Sequence, residues 1–148
     1  MKLISMCLLG KICNWRGDDR YKSLAALRLA EHEQLLSVCP EQLAQMLTPR
    51  PQMEIVGGTG QDVLDSKARV MTIDGVDVTA SLIAGAKAAL KQARDNKATV
   101  FIGKARSPSC GRGMIYDGTF SGKTTPGDGV TSALLKRHGI SVITNDQL

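Results

Sequence analysis

Short apolar, β-branched runs alternate with stretches of helical periodicity along this chain, and each run breaks off in a loop rich in Gly, Pro or Ser. That alternation constrains it to an α/β arrangement. Lys2 to Met6 reads as a first strand, Ser23 to Ala30 as a short helix and Leu35 to Val38 as a second strand running into Cys39-Pro40-Glu41. Two prolines in Thr48-Pro49-Arg50-Pro51 exclude a helix there. Gly57-Gly58 and Gly60 mark a loop, and Asp74-Gly75 predicts a hairpin between Ala68–Ile73 and Val76–Val78. The clearest helix runs from Thr79, read as its cap, to about Asn96, with Leu82, Ile83, Ala86, Ala89, Leu90 and Ala93 on one face. Thr99 to Ile102 predicts a strand, Thr131 to His138 a helix stopped by Gly139, and Ile140 to Ile143 the last strand.

Size and charge narrow the function classes. The 148 residues, 43% of them hydrophobic, suit one domain spanning residues 1–148 that can bury a core without disulfides. A net charge of +5 is spread along the chain with no basic tail, which suits an anionic small substrate and equally nucleic acid. Only 3% of residues are aromatic, which weighs against a platform stacking several bases. The apolar run before Cys7 is too short for a secretory signal, and nothing later resembles a membrane span. A cytoplasmic location follows as the expectation, and in a reducing compartment the four cysteines point to metal or catalytic roles.

Three cysteines follow predicted strands, directly or after one loop: Cys7, Cys39 and Cys110. Ligands of open α/β sheets bind beyond the carboxyl ends of the strands, so these thiols are expected at one rim. Cys13 lies in the polar turn before Asn14–Asp19, where its direction is undetermined. Paired C-x-x-C or H-x-x-x-H groups of structural zinc sites are absent, and His32 and His138 sit at helix ends. Soft thiolates select iron–sulfur clusters as readily as zinc, and three thiolates on a four-iron cluster leave one iron open as a Lewis acid.

Groups suited to proton handling flank the thiols. Glu41, held by Pro40, is a candidate base, with a helix-N-terminal carboxylate as its plainer reading. Ser107 is a candidate proton donor or an ordinary turn serine before Pro108. The segment Gly103 to Asp128 is too long for an idle connection. From Gly111 to Gly129, backbone N–H groups and the hydroxyls of Thr119 and Ser121 could wrap an anion, and Arg50, between two prolines, is a second anion-binding candidate.

The ordered strings Cys7-Leu8-Leu9-Gly10, Cys39-Pro40-Glu41-Gln42-Leu43, Thr48-Pro49-Arg50-Pro51 and Ser107-Pro108-Ser109-Cys110-Gly111 are followed by Ile115-Tyr116-Asp117-Gly118-Thr119-Phe120-Ser121-Gly122. Together they resemble the thiouracil desulfidase (TudS-like) family, from Met1 almost to the last residue. The resemblance implies a single Rossmann-like domain with a mostly parallel sheet and a small hairpin insertion. It further implies a [4Fe-4S] cluster with one open iron, held by Cys7, Cys39 and Cys110. Non-redox removal of sulfur from a thiolated uracil compound would follow, with Glu41 activating water and Ser107 assisting proton transfer. Ser109, Gly111, Thr119, Ser121 and Arg50 are the expected substrate contacts.

The chain departs from the family pattern at Met6, where Ala is usual, and at Asn14-Trp15-Arg16-Gly17, where Arg-Tyr-Asp-Gly is usual. Trp15 is therefore an expected pocket residue that tunes substrate choice. Without the further C-terminal domain of longer relatives, the expected partner is a small thiolated nucleobase or a nucleotide such as 4-thiouridine monophosphate. Thiolated tRNA is the competing partner, and a salt-dependent affinity for tRNA would favour it. A closed four-cysteine metal site with no catalysis competes as a binding or electron-transfer module, and a nucleotide-binding loop at Gly57–Gly60 is the weakest alternative.

Overall fold

The computed structural model describes residues 1–148. Its centre is a four-stranded parallel sheet in the order β2-β1-β5-β8, formed by β1 (Lys2–Ser5), β2 (Leu35–Val38), β5 (Val100–Gly103) and β8 (Ser141–Thr144). The sheet is α/β in the expected sense. Parallel strands need covering on both faces, and the alternation within each strand supplies two apolar faces. Leu3 and Phe101 join the main core, which holds Leu82, Ala86 and Leu90 of α4 (Thr79–Asp95) and Leu134 and Leu135 of α5 (Val130–Arg137). Their neighbours Ile4 and Ile102 face the opposite way, against Leu8 and Ala26, the latter on α1 (Leu24–His32).

Chain order sets where a ligand can bind. From β1 the sheet grows one way through β2 and the other way through β5 and β8. The carboxyl ends of β1 and β5 therefore flank the point at which the winding reverses, the usual crevice of such sheets. Met6–Leu9 makes a 3₁₀ turn straight after β1, so the first strand is one residue shorter than its sequence pattern suggests. α2 (Pro40–Leu43) starts just beyond β2, with Pro40 in its first turn.

The expected hairpin around Asp74-Gly75 is only part of the arrangement. Gly75 turns with φ 81°, and Met71 bridges Asp77, but the main partner of β4 (Arg69–Thr72) is β3 (Met53–Val56), a strand the local pattern does not announce. Two further corrections concern helix ends. α3 (Gly60–Leu64), which the pattern does not announce, starts at the last residue of the glycine loop, its first turn closed by Asp62 Oδ2 accepting the Thr59 N–H at 2.9 Å. Thr79 lies inside α4 and not at its cap. The Asp77 carboxylate accepts the Thr79 N–H at 2.9 Å, while the Thr79 hydroxyl is taken by the Val70 N–H. The long segment before α5 forms a second hairpin, β6 (Met114–Tyr116) with β7 (Thr124–Pro126). Gly139 adopts φ 79° just past α5, as a helix stop should. No helix is long and apolar enough to cross a membrane.

Gly85 fixes how close α4 comes to the site. A Cβ built there would overlap the carbonyl oxygen of Pro40, the residue between Cys39 and Glu41. Gly85→Ala is expected to displace α2 from α4 at a cost of about 1–3 kcal/mol. Chemical denaturation measures the loss, and an unchanged midpoint would mean that the two helices can separate freely.

Candidate functional site

A solvent-open cavity of about 720 Å³ lies beyond the carboxyl ends of β1, β2 and β5. All four cysteines line it, together with Glu41 and Ser107. Each thiol arrives from a different piece of backbone: Cys7 from the turn after β1, Cys13 from the following loop, Cys39 from the end of β2, and Cys110 from the loop after β5. That last loop folds back tightly because β5 ends in glycine; a Cβ on Gly103 would overlap the Cys110 carbonyl oxygen.

The thiols are free, and three are buried. Burial, first among the causes, pushes Cys110 up to about 12, with a hydrogen bond to Ser5 pulling against it. A hydrogen bond with Cys13, then burial, then the charge of Glu41 hold Cys39 far above the ordinary thiol range. For Cys13, a hydrogen bond with Cys39 favours the thiolate. The bond with Cys7, burial and the charges of Cys7 and Cys110 outweigh it and push the thiol up to about 12. Raised this way these three thiols are neutral, and binding a metal group as thiolates would release their protons. All four thiols line one cavity, and no histidine lines it with them. An all-sulfur donor set of this kind suits an iron–sulfur cluster or zinc.

Glu41 is held from behind. One of its oxygens, Oε2, is ion-paired to Arg50, whose side chain is only 3% exposed. The same guanidinium donates to the carbonyls of Cys13 at 2.7 Å and Leu47 at 3.0 Å and to Thr48 Oγ1 at 3.0 Å. The Arg50 N–H bonds the Trp15 carbonyl at 2.9 Å. In place of the expected anion contact, the two terminal nitrogens of Arg50 tie the Cys13–Trp15 loop to the Glu41 carboxylate, while its buried Nε has no partner. The other carboxylate oxygen, Oε1, has no protein partner and stays open to solvent.

Ser107 Oγ accepts the N–H groups of Ser109 at 3.1 Å and Cys110 at 3.0 Å. With its lone pairs engaged, the hydroxyl proton is the part left for a ligand. Arg106, just before it, has φ 66°, a left-handed conformation uncommon for a residue with a side chain, and its guanidinium is anchored to Asp146 at 2.8 Å. Ser109 lies in the cavity wall with its hydroxyl bonded to Thr131 Oγ1 at 2.9 Å. Gly111 packs under the turn, its N–H on the Ser107 carbonyl at 2.9 Å. Thr119 and Ser121 sit at the exposed tip of the β6–β7 hairpin, outside the cavity lining, where they bond each other and Asp117.

Trp15 does line the cavity, with the Arg16 guanidinium 4.5 Å from its ring centroid. Its loop is shaped by Asn14, whose side-chain oxygen accepts the N–H groups of Gly17 and Asp18. Sequence reasoning missed Tyr21, Tyr116 and Lys104, which also face the cavity. The signal was available in composition: the chain has a single Trp and two Tyr, and all three come to this one place.

A parallel sheet carrying a thiol-lined crevice at its switch point, with one carboxylate and several hydroxyls in the wall, defines an α/β protein built to seat a soft metal group. The chain belongs to the 2-thiouracil desulfurase family, whose model matches residues 3–147. It is 44% identical to the uncharacterized protein YbbK of Bacillus subtilis (strain 168) over 148 residues, covering all of this chain and 97% of that one. It is also similar to the solved structure of the [4Fe-4S]-dependent thiouracil desulfidase TudS, with 37% identity and a TM-score of 0.85. That match covers 99% of this chain and 91% of the other.

Proposed function

We propose that this chain is an iron–sulfur-dependent desulfidase that converts a thiolated uracil compound and water into the oxygen analogue and hydrogen sulfide. The observation that carries the reading is the meeting of four thiols, Glu41 and Ser107 in one cavity of a family member. Cys7, Cys39 and Cys110 would hold a [4Fe-4S] cluster. When bound, that cluster supplies a Lewis-acidic iron, free of protein ligands, to the sulfur of the substrate.

The chain's own residues do the rest. Glu41 Oε1, open to solvent while Oε2 is fixed by Arg50, takes a proton from the water that attacks the ring carbon bearing sulfur. Ser107, its oxygen already accepting two backbone N–H groups, gives its proton toward the departing sulfur. Trp15, Tyr21 and Tyr116 offer faces to a single planar ring. Three aromatic side chains at one place suit a single ring better than a run of stacked bases, which supports a free base or nucleotide such as 4-thiouridine monophosphate over thiolated tRNA. Four free thiols support a reducing location such as the cytoplasm.

Cys13 gives a second reading real support, because it lines the same cavity, with the Cys39 thiol donating to its carbonyl at 3.7 Å, and could complete a closed four-cysteine site. The two readings part on one variant. Cys13→Ala is expected to retain its iron and its sulfide release; loss of both would make Cys13 a ligand and the site a closed one. Sulfide release from 4-thiouridine monophosphate by iron-loaded protein tests the reaction itself.

A further inference from the structure

Only two charged side chains line the cavity, Glu41 and Lys104, and they are treated very differently. Glu41 has its counter-charge in Arg50. Lys104, at the end of β5, has none: its ammonium lies 4.3 Å from the centroid of the Tyr21 ring and donates to the Ala105 carbonyl at 2.6 Å. Of the negative groups whose charge reaches it, Asp146 is paired with Arg106 at 2.8 Å, and Cys7 and Cys110 are ligands of the proposed cluster. An aromatic face and one carbonyl steady an ammonium without neutralising it, and desolvating a cation with no anion is costly. Such an arrangement persists where a ligand brings the missing charge.

Building on the desulfidase reading, we infer that Lys104 is the specificity-determining cation of the cavity, the group that pairs with a negative charge carried by the thiolated substrate. Three observations converge on it. Arg50 is committed to Glu41 and to backbone carbonyls, Thr119 and Ser121 lie outside the cavity lining, and no other Lys or Arg lines the cavity. The planar ring would lie among Trp15, Tyr21 and Tyr116, with Tyr21 serving both the ring pocket and the ammonium. The negative charge has two sources of one chemistry: a 5′-phosphate, or the ionised thioamide of the ring.

Calorimetric titration of the iron-loaded protein with 4-thiouracil, 4-thiouridine and 4-thiouridine monophosphate separates the two sources. It compares wild type, Lys104→Met and Lys104→Arg, with iron counted and sulfide release assayed in the same preparations. Lys104→Met is expected to weaken binding of the anionic ligand about 10- to 100-fold, the range of a charged hydrogen bond, and Lys104→Arg to restore most of it. A loss confined to the nucleotide assigns the charge to phosphate; an equal loss for all three assigns it to the ring. Unchanged binding of all three by Lys104→Met overturns the inference, as does a variant whose only defect is poor iron loading. Either result leaves the desulfidase reading standing if wild type releases sulfide, whereas an iron-loaded wild type that releases none overturns that reading.

Discussion

Arg50→Met is expected to destabilise the protein by about 3 kcal/mol, the lower end of what breaking a buried ion pair costs. The lower end applies because the Glu41 side chain keeps 15% of its exposure, so water can still reach the carboxylate left behind. Methionine retains much of the buried stem, so the loss reports the guanidinium and its contacts with Glu41, Cys13, Leu47 and Thr48, not a cavity. Adding Glu41→Gln to Arg50→Met should recover part of that stability, since a neutral amide is cheaper to leave without a counter-charge. Urea denaturation of the two single variants and the double variant measures the coupling. Simple additivity would contradict the ion pair as a structural clamp. Sulfide release should fall in all three, because the recovered fold no longer carries a fixed carboxylate.

Glu41→Gln alone carries the second large effect. The amide fills the same space but cannot accept a proton from water, so turnover should drop about 10²- to 10⁴-fold, the usual worth of a positioned general base. Iron content and substrate affinity should stay near wild type, since Glu41 is not among the thiol ligands. Steady-state kinetics beside iron analysis separates the outcomes. Lost turnover with intact iron fits the base role, while lost turnover with lost iron would move Glu41 into the support of the cluster site.

The sheet was legible in the sequence because its strands are short, apolar and punctuated. Leu35–Val38 is bounded as its pattern predicts, and α4 buries Leu82, Ala86, Ala89, Leu90 and Ala93 at helical spacing. β3 was not legible. It lies between a proline-rich stretch and two glycines, and it contains Glu54, which reads locally as a surface residue. In the fold Glu54 is 1% exposed, and its Oε1 accepts the N–H groups of Gly118 at 2.9 Å and Phe120 at 3.2 Å, more than sixty residues along the chain. A partner that remote leaves no trace in a local window. The same reason hid the work of Arg50, whose bond to the Cys13 carbonyl spans thirty-seven residues.

Within the site, Cys7, Cys39, Cys110 and Glu41 stood out because each follows a strand, directly or after one loop, or a proline, whereas Cys13 did not. Lys104 did not, since a lone lysine after a strand is ordinary; only its place in the cavity without an ion pair makes it unusual. Thr119 and Ser121, expected as substrate contacts, lie outside the cavity lining. Their hydroxyls are spent on Asp117 and on each other, closing a turn.

The most direct test of the central claim is sulfide release from 4-thiouridine monophosphate by anaerobically reconstituted protein, with iron counted per chain and Cys110→Ala alongside. The account predicts about four iron atoms per wild-type chain, sulfide released with the oxygen analogue as co-product, and neither iron nor release in Cys110→Ala. Iron-loaded protein that releases no sulfide from the nucleotide, the nucleoside or thiouracil would contradict it.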